Sequence, residues 1–293
     1  MGYRFSHGDQ QADSGNTTPE NSTTHMRIML DNGIISHSEF AEGAVQEAPL
    51  KWGNLVFSSE VHGLKRKAID PNANYQKQKE ALFTIGRLIR EETIEAYTYI
   101  ELDFERIRSR SRIQEFNALR HCKLNSCSPA LERSKFRTTS DFMDVIAKGG
   151  EKERDAGNPP GEANQIAFFK WLCTLTQEAI QAFVQIAPIL RLTQFEIESL
   201  MNLDRFQALC DRIPNPEHFP DLFHLWTTER NGLDAFLTLE NKLPNLIAQA
   251  KRKKHNPLKL GIEVLRPLDL LEGMGIKDAD PVPMDLDRFY PTR

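Results

Sequence analysis

Continuous apolar runs at two distant places in the chain predict buried strands. Residues 233–239 are nearly all apolar, and residues 27–30 form a shorter run that leads into Asp31, Asn32 and Gly33. A strand that is covered on both faces shows such a run, whereas a half-exposed strand alternates apolar with polar residues. Both segments are therefore predicted to be strands of a parallel sheet.

A helix is predicted between Pro220 and the Asn231-Gly232 pair. Proline suits the first turn of a helix, and an acid such as Asp221 favours its positive end. One face carries the apolar residues Leu222, Phe223, Leu225 and Trp226. Glycine readily adopts the left-handed conformation that ends many helices, so we expect this helix to stop there.

The patterns between these segments predict further helices and strands. Helices are predicted over residues 52–67, 75–90 and 163–186, from apolar residues at helical spacing. Residues 94–102 are rich in β-branched and aromatic residues, which favours a strand. The Gly-, Pro- and charge-rich residues 148–161 are predicted to form a loop.

Local signals complete the prediction towards the end of the chain. Thr193 and Glu196 have the spacing of a capping box, which predicts a helix that ends near Ile213. Residues 261–265 are predicted to be the last strand, and residues 268–275 to close the fold. The mixture of strands and helices predicts an α/β protein, with a parallel sheet and helices on both of its faces.

Length and composition predict one domain with two tails. A chain of 293 residues that is 40% hydrophobic can bury a large core, and no apolar run is long enough to span a membrane. Residues 1–25 are polar, lack the apolar centre of a secretory signal and are expected to be disordered. The domain is expected over residues 26–276, with a mostly helical insertion at about 109–213 and a flexible tail at 277–293. A cytoplasmic location without membrane contact is expected.

Two acids follow the predicted strands directly. Asp31 comes after the first strand, and Glu240 comes after residues 233–239. Ligands of open parallel sheets collect beyond the carboxyl ends of the strands, so these acids could meet at one site. Either acid alone could instead solvate a loop, but the pair favours a site.

At this point the chain resembles the PIN-domain family of small α/β nucleases. The family's first acid closes the first strand, which here is Asp31 in IMLDNGIISH. Its third acid opens a helix and its fourth follows the next strand after a threonine, which correspond to Asp221 in PDLFHLW and to Glu240 in FLTLE, with Thr238 as the hydroxyl. The best match to the second acid is Glu105 in EAYTYIELDFERI, and Glu101 is the alternative.

The resemblance implies a metal-dependent nuclease. Its four acids would bind Mg²⁺ or Mn²⁺, because crowded carboxylates repel one another unless a hard cation stabilises their ionised forms. The expected reaction is hydrolysis of an RNA phosphodiester. The family's fourth acid is usually aspartate, so Glu240, which is one methylene longer, is a departure. His224 lies one helical turn after Asp221 and is interpreted as a hydrogen-bonding residue, since the reaction needs no histidine base.

The distribution of charge is compatible with RNA as the partner. The net charge is −4, yet residues 106–137 contain nine Lys or Arg against two acids, a local balance of +7. The residues that directly follow Glu105 are the first candidates for RNA contact: Arg106, Arg108, Arg110 and Arg112. The other interpretation is a solvated basic helix face.

Two functions of different classes follow from the sequence. The first is an endoribonuclease that uses Asp31, Glu105, Asp221 and Glu240. Because the resembled family includes toxins of bacterial toxin–antitoxin pairs, a small antitoxin-like protein is a second candidate partner beside RNA. The second function is a non-catalytic interaction protein on the same scaffold, with a degenerate metal site.

Overall fold

The predicted buried runs lie at the centre of a parallel sheet. The computed structural model describes residues 25–103, 116–138, 140–157, 160–253 and 257–292. The strands in these ranges are β1 (Met26–Leu30), β2 (Ala41–Trp52), β3 (Leu55–Arg66), β4 (Ile94–Thr98), β5 (Leu124–Ser126), β6 (Ala235–Leu237), β7 (Glu263–Leu265) and β8 (Phe289–Pro291). Five of them form the parallel sheet in the order β5-β4-β1-β6-β7, and the other three form an antiparallel sheet in the order β2-β3-β8.

Helices fill most of the remaining described chain. They are α1 (Asn32–Ser36), α2 (Ala73–Glu80), α3 (Leu82–Arg90), α4 (Ser140–Asp155), α5 (Pro160–Leu172), α6 (Gln177–Gln185), α7 (Ala187–Leu190), α8 (Gln194–Met201), α9 (Leu203–Arg212), α10 (Phe219–Arg230), α11 (Lys242–Lys251) and α12 (Pro267–Gly273), with short 3-10 helices at Arg133–Thr138 and Pro216–His218. The predicted α/β class is therefore confirmed.

The parallel sheet is buried on both faces. In β1, Ile28 and Leu30 pack in one apolar cluster with residues of α1, α3 and α12, whereas Met29 packs in a second cluster with residues of α5, α9 and α10. Successive side chains of a strand point to opposite faces, so the two clusters lie on opposite sides of the sheet. Full burial of each such side chain stabilises the fold by about 1.5–3 kcal/mol.

The helix predicted over residues 52–67 is wrong, because these residues form a hairpin. β2 and β3 pair along all twelve residues, and Trp52 faces Leu55 across a two-residue turn of Gly53 and Asn54. Gly53 has a φ of +60°, a conformation that tight hairpin turns require and that glycine adopts without strain. The spacing of Trp52, Leu55 and Val56 resembles one helical face, which is why the pattern misled.

The loop predicted over residues 148–161 is also wrong for most of its length. Residues 148–155 belong to α4, and α5 begins at Pro160. The glycines in this stretch bring two helices together: a Cβ at Gly149 would lie 3.1 Å from the Cβ of Ala167 on α5. Glycine here marks a close helix–helix approach, although the same residue often ends a helix.

Other predicted helices and strands are present but are interrupted or shorter than predicted. Residues 75–90 are helical in α2 and α3, which meet at Ala81, and the strand predicted over 94–102 ends at Thr98. The capping box at the start of α8 is present as predicted, with hydrogen bonds in both directions between Thr193 and Glu196. β7 lies within residues 261–265, which are predicted to be the last strand, but β8 follows it at Phe289–Pro291.

The segments predicted as an insertion and a tail both contribute strands. The described part of residues 109–213 is mostly helical, but it also contains β5, which pairs with β4 in the parallel sheet. Residues 277–293 contain β8, which pairs with β3. Across the described ranges, none of the helices combines the length and the apolar character that a membrane crossing would need.

Candidate functional site

A cleft of about 840 Å³ opens beyond the carboxyl ends of β1 and β6. Three acids from distant parts of the sequence line it, namely Asp31, Asp221 and Glu240. The cleft is acidic overall, since Glu162 and Glu217 also line it. The complete lining is Asp31, Asn32, Gly33, His37, Tyr75, Glu162, Gln165, Glu217, His218, Pro220, Asp221, His224, Leu239, Glu240, Asn241 and Lys242.

Parallel pairing of β1 with β6 brings Asp31 and Glu240 to the same edge of the sheet. Leu30 pairs with Leu237, and the backbone N–H of Asp31 donates to the Leu237 carbonyl at 3.0 Å. Thr238 joins the two acids. Its hydroxyl donates to Asp31 Oδ2 at 2.6 Å and accepts the backbone N–H of Glu240 at 3.1 Å.

The buried position of Thr238 makes this link well defined. The residue is 1% exposed, so its hydroxyl must find hydrogen-bond partners within the protein. It finds them in the two predicted acidic segments. The role of Thr238 in this structure is therefore to position Asp31 and the backbone before α11.

The first turn of α10 places Asp221 at the cleft. Pro220 lies at the start of this helix, as the sequence predicts, and Asp221 lies at the positive end of the helix dipole. His218 Nδ1 lies 3.8 Å from Asp221 Oδ2, which gives the acid a titratable neighbour. Phe223 and Trp226 of α10 pack against Phe206 of α9. His224 stacks on Phe236 of β6, which fixes the helix relative to the sheet.

The donor types at the cleft fit a hard divalent cation. Carboxylate and amide oxygens are the ligands that Mg²⁺ prefers, and the amide Oδ1 of Asn32 is buried without a hydrogen-bond partner beside Asp31. In the described ranges, no three His, Cys, Asp or Glu side chains are close enough to hold one ion together. An open site fits Asp31 and Asn32 as direct donors, because Mg²⁺ commonly takes only one or two carboxylates and completes its shell with water and substrate phosphates.

Several cleft residues carried no signal in the sequence. Glu162 and Gln165 come from α5, and the predicted loop over 148–161 hid the start of that helix. Gln165 lines the cleft although only 2% of its surface is exposed. Tyr75 and Lys242 reach the cleft from the starts of α2 and α11. Only the fold brings these residues near Asp31, so no spacing rule could have found them.

His224 lies at the cleft as part of a buried aromatic arrangement. The Tyr99 hydroxyl and His224 Nδ1 are 2.5 Å apart, and the imidazole stacks on Phe236 with a centroid distance of 6.2 Å. His224 is 3% exposed. These contacts support the interpretation of His224 as a hydrogen-bonding residue in the wall of the site.

The acids of the cleft influence nearby titratable groups. Burial raises the pKa of Tyr75, and the negative charges of Asp70, Glu240 and Asp31 raise it further. Burial lowers the pKa of His37, as do the positive charges of Lys79 and Lys67. Asp31 and Glu240 therefore lie close enough to Tyr75 to act on its ionisation.

The second predicted acid is not placed at the cleft. Glu105 lies outside the described residues. Its alternative, Glu101, is 3% exposed and accepts from Arg133, with Nη2 at 3.1 Å and Nε at 3.4 Å from its two oxygens. Glu101 therefore has a structural role in a largely buried ion pair. Asp234 is another acid close to β6 in the sequence. It directly precedes β6, at the opposite end of the strand from Glu240, and its carboxylate accepts the Arg27 backbone N–H at 2.7 Å.

The basic segment is only partly described. The predicted RNA contacts lie outside the described residues: Arg106, Arg108, Arg110 and Arg112. Of the basic residues that follow, Arg133 pairs with Glu101 and Lys135 Nζ lies 2.5 Å from Glu196 Oε2. Two of the nine positive charges in 106–137 thus stabilise the fold internally.

Comparison with known proteins gives the chain no relative. Searches against protein-family models, curated proteins and solved structures find no match.

Proposed function

We propose that the protein is a metal-dependent endoribonuclease of the PIN type. The observation that carries the proposal is the meeting of Asp31, Asp221 and Glu240 at one cleft, although Asp221 lies 190 positions after Asp31 in the sequence. Proteins with an open parallel sheet bind their ligands beyond the carboxyl ends of the strands, and these carboxylates lie there. The proposal places the enzyme in the cytoplasm.

The residues of the cleft have distinct parts in this proposal. Asp31 would hold the ion directly, with the orphan Asn32 oxygen as a second donor, and Asp221 and Glu240 would hold it through bound water. Bound Mg²⁺ or Mn²⁺ supplies positive charge that neutralises a phosphate and makes water a stronger acid. Thr238 keeps the Asp31 carboxylate oriented through its 2.6 Å hydrogen bond.

The negative charge of the cleft supports a role for the cation in RNA binding. Five carboxylates and one lysine line the described cleft, so RNA phosphates would be repelled from it unless a cation is present. Arg106, Arg108, Arg110 and Arg112, which lie outside the described residues, are proposed to bind the RNA backbone. Their contribution should weaken as salt concentration rises.

A second function has a specific observation in its favour. The described chain has no three ligating side chains within reach of a single ion, and Glu240 replaces the aspartate usual in the resembled family. A scaffold that has lost its metal would show both features. Such a protein would bind a partner, for example a small antitoxin-like protein, without cleaving RNA.

The test is an RNA cleavage assay with a matched pair of variants. Asp221→Asn removes one charge from the cleft and should lower cleavage at least ~100-fold, because the site loses electrostatic stabilisation of the reacting phosphate. Asp234→Asn makes the same chemical change at the other end of β6 and should leave the rate unchanged. Addition of a chelator should abolish cleavage by the wild-type protein.

The assay also distinguishes the two functions. Folding of both variants is checked by circular dichroism. Equal cleavage by folded Asp221→Asn and wild-type protein would rule out the proposed site. Absence of cleavage by the wild-type protein with either Mg²⁺ or Mn²⁺ would favour the non-catalytic function.

A further inference from the structure

The outer half of the β2–β3 hairpin is an arm with one apolar face. Trp52 pairs with Leu55, and Leu50 pairs with Phe57. Paired residues of an antiparallel ladder point to the same side, and residues two apart along a strand share that side. These four side chains therefore form one surface, which we call the apolar arm face.

The apolar arm face is open to solvent. The exposed fractions are 76% for Trp52, 61% for Leu55, 54% for Leu50 and 50% for Phe57. Nearly every residue from 45 to 60 is exposed, so the body of the protein, as far as the structure describes it, does not cover this surface. An isolated two-stranded hairpin is marginally stable in water, and the arm would gain stability from a cover.

Charges are confined to the opposite face of the arm. Lys51, Glu47 and Glu60 lie at alternate positions and point away from the apolar arm face. The next two pairs on the apolar side are Ala48 with Ser59 and Gln46 with Val61, which are uncharged. Four successive cross-strand pairs on one face thus carry no charge.

We infer that the apolar arm face binds the same face of a second copy of the chain. A two-fold arrangement places identical surfaces together. This surface can pack on its own copy because it contains no charge that would be buried or would face a like charge. An anionic lipid surface would instead favour basic residues around the apolar patch, and this face has none. The inference does not depend on the proposed nuclease activity.

The area of the face suits a dimer of moderate affinity. Trp52 and Phe57 are aromatic, and such side chains bury about 150–250 Å² each when fully covered. With the two leucines and the observed exposures, the face offers on the order of 500 Å² per copy. Two copies would bury about 1,000 Å², which is the lower limit for a specific interface. Dissociation should therefore be measurable by dilution.

The first test compares two variants with matched exposure by sedimentation velocity. The wild-type chain should show a dimer that dissociates over roughly a hundredfold dilution. Leu50→Lys places a charge in the interface and should raise the dissociation constant about tenfold or more. Val45→Lys is the control, because Val45 is 56% exposed and lies on the opposite face. It should leave the dissociation constant unchanged.

The second test follows the fluorescence of Trp52 in the wild-type protein. Trp171 and Trp226 are buried, whereas Trp52 is exposed in one copy. Dimer formation would bury Trp52, so its fluorescence should shift to the red and become more accessible to acrylamide as the wild-type protein is diluted. Trp52→Phe should remove this concentration dependence, which identifies the emitting residue.

Clear outcomes would overturn the inference. A wild-type protein that stays monomeric at high concentration would do so, and so would a dimer that Leu50→Lys leaves intact. Binding of the monomer to vesicles of phosphatidylcholine and phosphatidylglycerol, with loss of binding in Leu50→Lys, would assign the face to lipid and overturn the inference in the same way.

Discussion

The two sheets of this protein are stabilised in different ways. In the parallel sheet, Ile28 and Leu30 pack on one side and Met29 on the other, so the chain itself covers both faces. In the antiparallel sheet, the arm has one apolar face that the described chain leaves open. The core of the protein therefore covers the parallel sheet on both faces. The apolar arm face is exposed, and we propose a second copy of the chain as its partner.

The cleft of the proposed nuclease and the surface of the proposed dimer lie on different sheets. The cleft at the end of the parallel sheet is built on buried strands, where Thr238 binds the Asp31 carboxylate and the Glu240 backbone N–H. Rigid elements suit a site where small displacements lower activity. The arm has few contacts with the body, so its residues can serve association without altering the cleft.

Truncation of leucine should have unequal effects in the two sheets. Leu237→Ala in β6 removes a side chain with no exposed surface and should lower the free energy of unfolding by about 2–5 kcal/mol. Leu55→Ala in the arm should change it by about 0.5 kcal/mol or less. Urea denaturation measures both, at protein concentrations low enough to keep the chain monomeric. Equal losses would show that the arm is part of the core.

Glycine substitution should locate the point where the arm joins the body. A Cβ at Gly63 would lie 2.5 Å from the Tyr290 carbonyl oxygen in β8, so Gly63→Ala should cost about 1–3 kcal/mol of unfolding free energy. Gly43, on the paired strand β2, has open space around it, and Gly43→Ala should be close to neutral. Urea denaturation of the two variants gives the comparison. A neutral Gly63→Ala would mean that β8 does not hold the base of the arm.

The smallest expected effect is a change in the titration of Tyr75. Burial and the charges of Asp70, Glu240 and Asp31 raise its pKa, so Glu240→Gln or added Mg²⁺ should shift that pKa downwards. Titration of ¹³C-labelled tyrosine by NMR measures the shift. Tyr97 is the control: its pKa is raised chiefly by its hydrogen bond with Glu95, away from the cleft, and Mg²⁺ should not change it. An unchanged Tyr75 would argue against an ion near Glu240.

The sequence predicts the parallel sheet better than the arm, for a physical reason. Burial on both faces leaves continuous apolar runs, which identify β1 and β6 and with them the acids at their ends. In the arm, Val56 lies on the charged face, between Leu55 and Phe57 of the apolar arm face, so three consecutive residues are apolar. The alternation of a half-exposed strand is lost there, and the Gly53-Asn54 turn is the remaining signal.

The candidate site divides in a similar way. Asp31, Asp221 and Glu240 follow strong local signals, namely a strand end, a helix start after proline and a second strand end. Glu162, Gln165 and Tyr75 have no such signal, because they reach the cleft only through the packing of α5 and α2. Glu101 has the expected position after β4, but its partner Arg133 comes from a distant segment that local patterns cannot reveal.

The most direct test of the account is calorimetric titration of the protein with Mn²⁺ at neutral pH. The account predicts binding with a dissociation constant of about 1 mM or tighter for the wild-type chain, loss of binding in Asp31→Asn, and unchanged binding in Asp234→Asn. Absence of Mn²⁺ binding by the wild-type chain, or equal binding by a folded Asp31→Asn variant, would contradict the claim that these distant acids form one cation site.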